Sequence, residues 1–225
     1  MVSNLCFISD IHSQFDRLQK AVDYAETQNL RIIFLGDIFD SRVDYSDSIG
    51  VLNLVDSCLK RGHLCVNSNH QDKLIRYLKG NKITQNNGIE VTIKEFEDAN
   101  INKEYLFKFL TSMPYGIFCK NSHGKLFRVC HAYFPNYLNN SGNDFVYGKD
   151  ISRKTRKTMI YGTLDEENKR SLWWLNQNQD QDYVRVAGHY HTVYVDDYSV
   201  VLDSGCGSGG CLSLYNADTG AIKEF

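Results

Sequence analysis

The chain has 225 residues, with 25 lysines and arginines against 27 acids, a formal net charge of −2, 42% hydrophobic and 23% charged residues. That balance belongs to a folded protein and excludes disorder as the main state. A surface near neutrality excludes a protein that grips nucleic acid or anionic membrane over its whole extent, so any phosphate chemistry has to be local.

The chain opens on a strand-like run, Leu5 to Ser9, with no basic leader and no apolar span of membrane length, so neither secretion nor membrane insertion is expected. Strands are predicted at Leu5–Ser9, Arg31–Leu35 and His63–Val66. Between them, Phe15, Leu18, Val22 and Ala25 recur at helical spacing, as do Ile49, Leu52, Val55 and Leu59. A third helix is predicted over His70–Lys79, stopped by Gly80. Residues 81–100 are polar and broken by Asn86-Asn87-Gly88, which reads as a turn and an irregular excursion before a helix near Lys103–Leu110. The second half is rich in β-branched and aromatic residues, at Lys125–Cys130, Tyr183–Ala187, Val193–Val195, Ser199–Leu202 and Cys211–Tyr215. An α/β protein of two packed sheets with helices outside is expected. With no repeat and no Pro/Gly-rich linker, residues 1–225 read as one domain. Seven cysteines at irregular spacing, with no C-x-x-C, suggest neither a disulfide framework nor a thiolate zinc site and point to a reducing cytoplasm.

The residues just after the apolar runs carry the chemistry. Asp10-Ile11-His12 comes after the first strand, Gly36-Asp37-Ile38-Phe39-Asp40 after the second and Asn69-His70 after the third, with His131 and Gly188-His189-Tyr190-His191 after two later ones. Loops at the carboxyl ends of strands converge on one crevice, so these side chains should meet in space. Asp-x-His and His-x-His put two donors on one side of an extended segment. Carboxylate, imidazole and amide donors without thiolate suit Mn²⁺, Fe or Zn²⁺, and seven such donors are too many for one ion. Two ions sharing a carboxylate, roughly 3.5–4 Å apart, would generate hydroxide for in-line attack on phosphorus.

In this order, Asp10-x-His12, Gly36-Asp37-x-x-Asp40, Asn69-His70, His131 and Gly188-His189-x-His191 resemble the calcineurin-like metallophosphoesterase superfamily over almost the whole chain. Within it, the stretches from Asp10 to Asp16, Asn69 to Leu74 and Leu202 to Cys206 are similar to a branch that holds three groups. These are bacterial and phage Ser/Thr-type protein phosphatases, the RNA-repair polynucleotide phosphatase and bacterial diadenosine-tetraphosphate hydrolases. The resemblance implies a four-layer α/β/β/α sandwich with a dimetal site at strand carboxyl ends. It implies Asp10, His12, Asp37 and His191 on one ion, and Asp37, Asn69, His131 and His189 on the other, with Mn expected first and Fe, Zn or Ni as alternatives. It implies His70 as the acid that protonates the leaving oxygen, oriented by Asp40, and Arg42, Asn69 and Arg156 as phosphate contacts.

Two departures stand out. The branch reads G-D-x-x-D-R-G and G-N-H-E, whereas this chain has Asp40-Ser41-Arg42, with the arginine one position late, and Ser68-Asn69-His70-Gln71. The basic run Ser152–Lys157, which contains Arg156, reads first as a solvated helix face and second as a phosphate contact. Cys206-Gly207-Ser208-Gly209-Gly210-Cys211 reads as a tight turn between strands, and Tyr190, Tyr194 and Tyr198 as packing residues. Trp173-Trp174 fits either a cover over the site or a helix anchor.

The leading expectation is a cytoplasmic, dimetal-dependent phosphatase that hydrolyses a phosphomonoester in the manner of Ser/Thr protein phosphatases. The alternative is a nucleotide or nucleic-acid phosphoesterase acting on dinucleoside tetraphosphates, 2′,3′-cyclic phosphates or RNA ends, and the third a non-catalytic binding module. The partner is thus a phosphorylated substrate: a phosphoprotein, a nucleotide or a nucleic-acid end. Substrate choice is expected to lie in residues 81–100 and 132–182, which the motifs leave unconstrained.

Overall fold

The computed structural model describes residues 4–140, 144–164, 170–175 and 182–225. Its first half runs β1 (Leu5–Ile8), α1 (Phe15–Thr27), β2 (Arg31–Phe34), α2 (Ser48–Lys60), β3 (Leu64–Cys65), α3 (Asn69–Leu78), α4 (Ile89–Asp98) and α5 (Lys103–Ser112). Then come β4 (Gly116–Lys120), β5 (Leu126–Cys130), β6 (Phe145–Val146), α6 (Arg153–Tyr161), β7 (Thr163–Leu164), β8 (Arg170–Ser171) and β9 (Tyr183–Ala187). The last elements are β10 (Val193–Val195), β11 (Ser199–Leu202), β12 (Ser213–Asn216) and β13 (Ile222–Glu224).

Two mixed sheets result, ordered β13-β12-β1-β2-β3 and β10-β11-β9-β5-β4-β6, with β7 and β8 as a separate pair. The two-residue strand period decides which side chains fill which layer. Leu5, Phe7 and Ile33 of the first sheet meet Phe127, Val129, Val184, Val186 and Val200 of the second in a core between the sheets. The alternate residues, Cys6, Ile8, Ile32 and Phe34, turn outward to pack with Leu18, Val22, Val51, Val55 and Leu110 of the helices. On the outer face of the second sheet, Phe118 and Cys130 pack with Met159 and Ile160 of α6. Helix, sheet, sheet and helix form the four layers that the motifs implied.

The first-half elements lie within two residues of their predicted ends. The exception is the stretch 81–100, where a ten-residue helix, α4, stands in place of the irregular excursion. It forms because Ile89, Thr92, Ile93 and Phe96 make one buried stripe at helical spacing. Asn86-Asn87-Gly88 is the turn that precedes it and not the sign of a long loop. β4, which the sequence reading passed over, pairs antiparallel with β5 through five residues and hydrogen bonds the second sheet outward to β6. Among the described residues no helix is long and apolar enough to cross a membrane.

Phe127 is fully buried between the sheets and meets Phe7 edge-on, their ring centroids 5.4 Å apart. Phe127→Ala should cost about 3–5 kcal/mol. A urea midpoint lowered at constant slope would report it, and Ile222→Ala, on the exposed edge strand, should leave the midpoint nearly unmoved.

Candidate metal centre

β1, β2 and β3 run parallel, as do β5, β9 and β11, and the loops leaving β1, β2, β3, β5 and β9 come together above the inter-sheet core. Their backbones are bonded to one another. The N–H groups of Ile11 and His12 donate to the Asp37 carbonyl at 3.0 and 2.8 Å, and that of Gly188 donates to the His131 carbonyl at 2.9 Å. Among the described residues, nine non-glycine positions have positive φ, and five of them are His12, Asp37, Asp40, His189 and His191. Of the other four, three are asparagines, which tolerate that region, and the fourth, Ser13, adjoins His12. Strain of this kind persists only where surrounding contacts over-determine it, and here it falls on the side chains that the motifs singled out.

Four Lewis-basic atoms converge at His131. Its Nδ1 lies 2.8 Å from the Leu35 carbonyl oxygen, which only accepts, so a neutral ring spends its one proton there. The Nε2 lone pair then faces Asn69 Oδ1 at 2.8 Å, His189 Nδ1 at 3.1 Å and Asp37 Oδ2 at 3.3 Å. Asp37 Oδ2 also lies 3.7 Å from His12 Nε2 and 3.9 Å from His70 Nε2. His12 is fixed in the same manner as His131, its Nδ1 lying 2.9 Å from the Asp40 carbonyl and 3.1 Å from that of Phe39. Two groups of close donor atoms result, His12–Asp37–His70 and Asp37–His131–His189, and all five residues are buried. Asp37 belongs to both.

Asp10 and His191 stand outside these two groups. Asp10 Oδ2 accepts the His189 N–H at 2.9 Å, while its buried Oδ1 has no hydrogen-bond partner among the described residues. A Cβ at Gly188 would run into that oxygen, which is why glycine precedes His189. The His191 N–H donates to Asp203 Oδ2 at 2.8 Å. Asp203 was not among the residues that the sequence reading assigned. Its charge raises the carboxyl pKa of Asp10, and its Oδ1 accepts the Gly205 N–H at 3.1 Å.

The electrostatics are those of a site short of positive charge. Burial, then the charges of Asp203 and Asp37, push the Asp10 carboxyl well above the usual carboxylate range. Burial would raise Asp37 too, but the imidazoles of His131, His70 and His12 together hold it well below that range. Burial lowers the His12 imidazole. For His70 burial is outweighed by Asp37 and by the hydrogen bond to Asp40, 2.7 Å from Nδ1 to Oδ2, and the ring is pushed up. A buried set of carboxylate, imidazole and amide donors, with an orphaned carboxylate oxygen, fits divalent cations of the Mn²⁺, Fe or Zn²⁺ kind.

The remaining predicted residues divide. Arg42 is exposed, its N–H donating to the Gly207 carbonyl at 2.9 Å, and its charge is felt at His70, opposing protonation there. Gln71, in place of the expected acid, is buried and keeps the loop bonded: its Nε2 donates to the Val66 carbonyl at 3.2 Å, and the Ser68 hydroxyl donates to its Oε1. Arg156 lies on α6, outside both donor groups. The Cys206–Ser208 turn crosses from one sheet to the other, and Gly207 sits against the His12 ring, where a Cβ would lie 2.5 Å away. Trp174 is buried beside Tyr133, while Trp173 is exposed and donates its indole N–H to Thr163 at 2.8 Å. Tyr190 and Tyr194 pack on the same cluster as Trp174.

Comparison with known proteins finds phosphatases. The bis(5′-nucleosyl)-tetraphosphatase PrpE of Oceanobacillus iheyensis, of the asymmetrical type, is 25% identical over 97% of this chain and 89% of its own length. Its counterpart from Bacillus subtilis is 27% identical over 71% of this chain and 66% of its own. Among solved structures, a candidate diadenosine tetraphosphatase superposes with a TM-score of 0.62 at 17% identity, covering all of this chain and 94% of its own. A cold-active protein-tyrosine phosphatase from a Shewanella species superposes at 0.57 with 14% identity, covering all of this chain and 80% of its own. Both structures share the fold. The family model for calcineurin-like phosphoesterases matches residues 3–211, and the chain belongs to that family of metal-dependent phosphoric ester hydrolases.

Proposed function

We propose that the chain hydrolyses dinucleoside tetraphosphates at a dimetal centre, with Asp37 shared between the ions. The convergence of two donor groups on Asp37 carries this reading, and the tetraphosphatase relatives support its substrate. Asp10, His12, Asp37 and His191 would hold one ion, and Asp37, Asn69, His131 and His189 the other, with Mn²⁺ ahead of Fe, Zn or Ni. When bound, such ions acidify a water and offset phosphate charge. The carbonyls of Leu35, Phe39 and Asp40 fix the His131 and His12 rings so that each Nε2 points at Asp37. The imidazole of His70, anchored by Asp40 at Nδ1, presents Nε2–H to the leaving oxygen as the bond from phosphorus to that oxygen breaks. Arg42 and Arg156 would bind phosphate oxygens as charged donors.

One observation favours a phosphomonoester as a second reading. The His70–Asp40 pair supplies an acid, which a leaving alkoxide needs more than a leaving phosphate does. The unpaired thiols of the chain suit a reducing, cytoplasmic compartment under either reading.

The two readings separate by product. Protein stripped with chelator and restored with Mn²⁺ should convert diadenosine tetraphosphate to ATP and AMP at a higher kcat/KM than it hydrolyses a phosphoserine peptide. The reverse order would make the monoester reading the correct one. His70→Ala should lower kcat by about a hundredfold or more while metal content stays at the wild-type level. Loss of metal in that variant would make His70 a ligand instead of the acid.

A further inference from the structure

Beside the donor groups lies a cavity of about 1520 Å³, larger than the ordinary run of small-molecule sites. Its walls are α3, α6 and the loop before α6. Arg76 and Lys79 of α3 face Arg153, Arg156 and Lys157 of α6, and Lys149 and Lys154 complete the set. Seven cations thus line it against one carboxylate, Asp72, in a chain whose formal net charge is −2. Among them, only Arg76 is ion-paired within the described residues, to Asp72 at 3.1 Å. Concentration of one sign in a walled cleft focuses the field on an anion inside it.

The cavity adjoins the donor groups through both walls. α3 carries Asn69 and His70 in its first turn and Asp72, Arg76 and Lys79 farther along, so one helix of about 15 Å serves both places. At the other wall, the Ala132 N–H, next to His131, donates to the Met159 carbonyl of α6 at 2.8 Å. Tyr161, at the end of α6, lines the cavity together with Arg76 of α3. Tyr115, Tyr147 and Tyr161 add aromatic surface to the charged lining.

We propose that this cavity receives the triphosphate half of a dinucleoside tetraphosphate, leaving the phosphorus of the monophosphate half at the donor groups. The inference rests on the substrate reading above and adds a direction to it. A symmetrical substrate has two ends, and the end with more phosphates gains most from seven cations. Water oxygen then bonds to the phosphorus of the monophosphate half, and the bond from that phosphorus to the bridging oxygen breaks. The bridging oxygen leaves on the triphosphate with the electron pair, and the two protons of the water are shared between the products. Asymmetric cleavage is thus a consequence of charge on one side of the site. Tyr161 and Tyr147 offer rings for the base of the departing nucleotide.

The test uses the full chain held in chelator, so that binding is read without the metal centre. Calorimetric titration should show ATP bound about tenfold or more tightly than AMP, and Arg153→Glu/Lys157→Glu should lose about tenfold or more of that ATP affinity. Lys60→Glu/Lys94→Glu, the same charge change on α2 and α4, should stay within about twofold. After restoration of Mn²⁺, the cavity variant should lower the ratio of kcat/KM for diadenosine tetraphosphate to that for p-nitrophenyl phosphate by about tenfold. ATP affinity equal in wild type and cavity variant, or lost equally in the control, would overturn the cavity assignment. Failure of the Mn²⁺-loaded wild type to split diadenosine tetraphosphate while it turns over p-nitrophenyl phosphate would overturn the substrate reading, whatever ATP binding shows.

Discussion

Asp37 is a buried carboxylate surrounded by the imidazoles of His12, His70 and His131, and the architecture around it is arranged to keep it charged. Its own burial works against ionisation, so the three rings and their tethers have to outweigh desolvation. Those tethers, the carbonyls of Leu35, Phe39 and Asp40 and the carboxylate of Asp40, all belong to the segment leaving β2, whereas the rings stand on loops leaving β1, β3 and β5, so moving one loop relative to another misaims a ring. The two sheets must therefore hold their strand ends in fixed register. The inter-sheet layer of Phe7, Phe127, Val129 and Val186, packed directly beneath, does this.

The loops accept strain so that the side chains point inward. His12, Asp37, Asp40, His189 and His191 all take left-handed backbone, which glycine would adopt more cheaply but without a donor atom. Glycine is kept instead where a neighbour needs the space, as at Gly188 against Asp10 and Gly207 against His12. Asp203 belongs to this design, since one carboxyl group fixes the His191 N–H and the Gly205 N–H that leads into the glycine-rich turn.

How much of this could be read from the sequence depended on how local the signal was. The strands β1, β2, β3, β5, β9, β10, β11 and β12 and the first three helices are legible because each carries its own period, and the donor residues because each comes directly after a strand, whereas β4, β6, β7, β8 and β13 are not. α4 is hidden although Ile89, Ile93 and Phe96 hold helical spacing, since three turn-forming residues in a row mask a stripe in which Thr92 fills one position. Asp203 stands in the stretch from Leu202 to Cys206, but a lone aspartate after a strand has many ordinary uses and carries no mark of its role. The basic run near Arg156 read as a solvated face, and taken alone it does form an exposed helix side. Its significance comes from Arg76 and Lys79, about 75 residues earlier, which the fold brings to the same cavity as α6. Long-range placement of this kind leaves no mark on periodicity.

A centre whose two donor groups share one carboxylate makes the two ions interdependent, and this is the claim most open to direct test. Calorimetric titration of chelator-treated protein with Mn²⁺ should show two equivalents bound by the wild type and loss of both in Asp37→Asn, with the fold retained by circular dichroism. One equivalent still bound at wild-type affinity in Asp37→Asn would contradict the shared-carboxylate account.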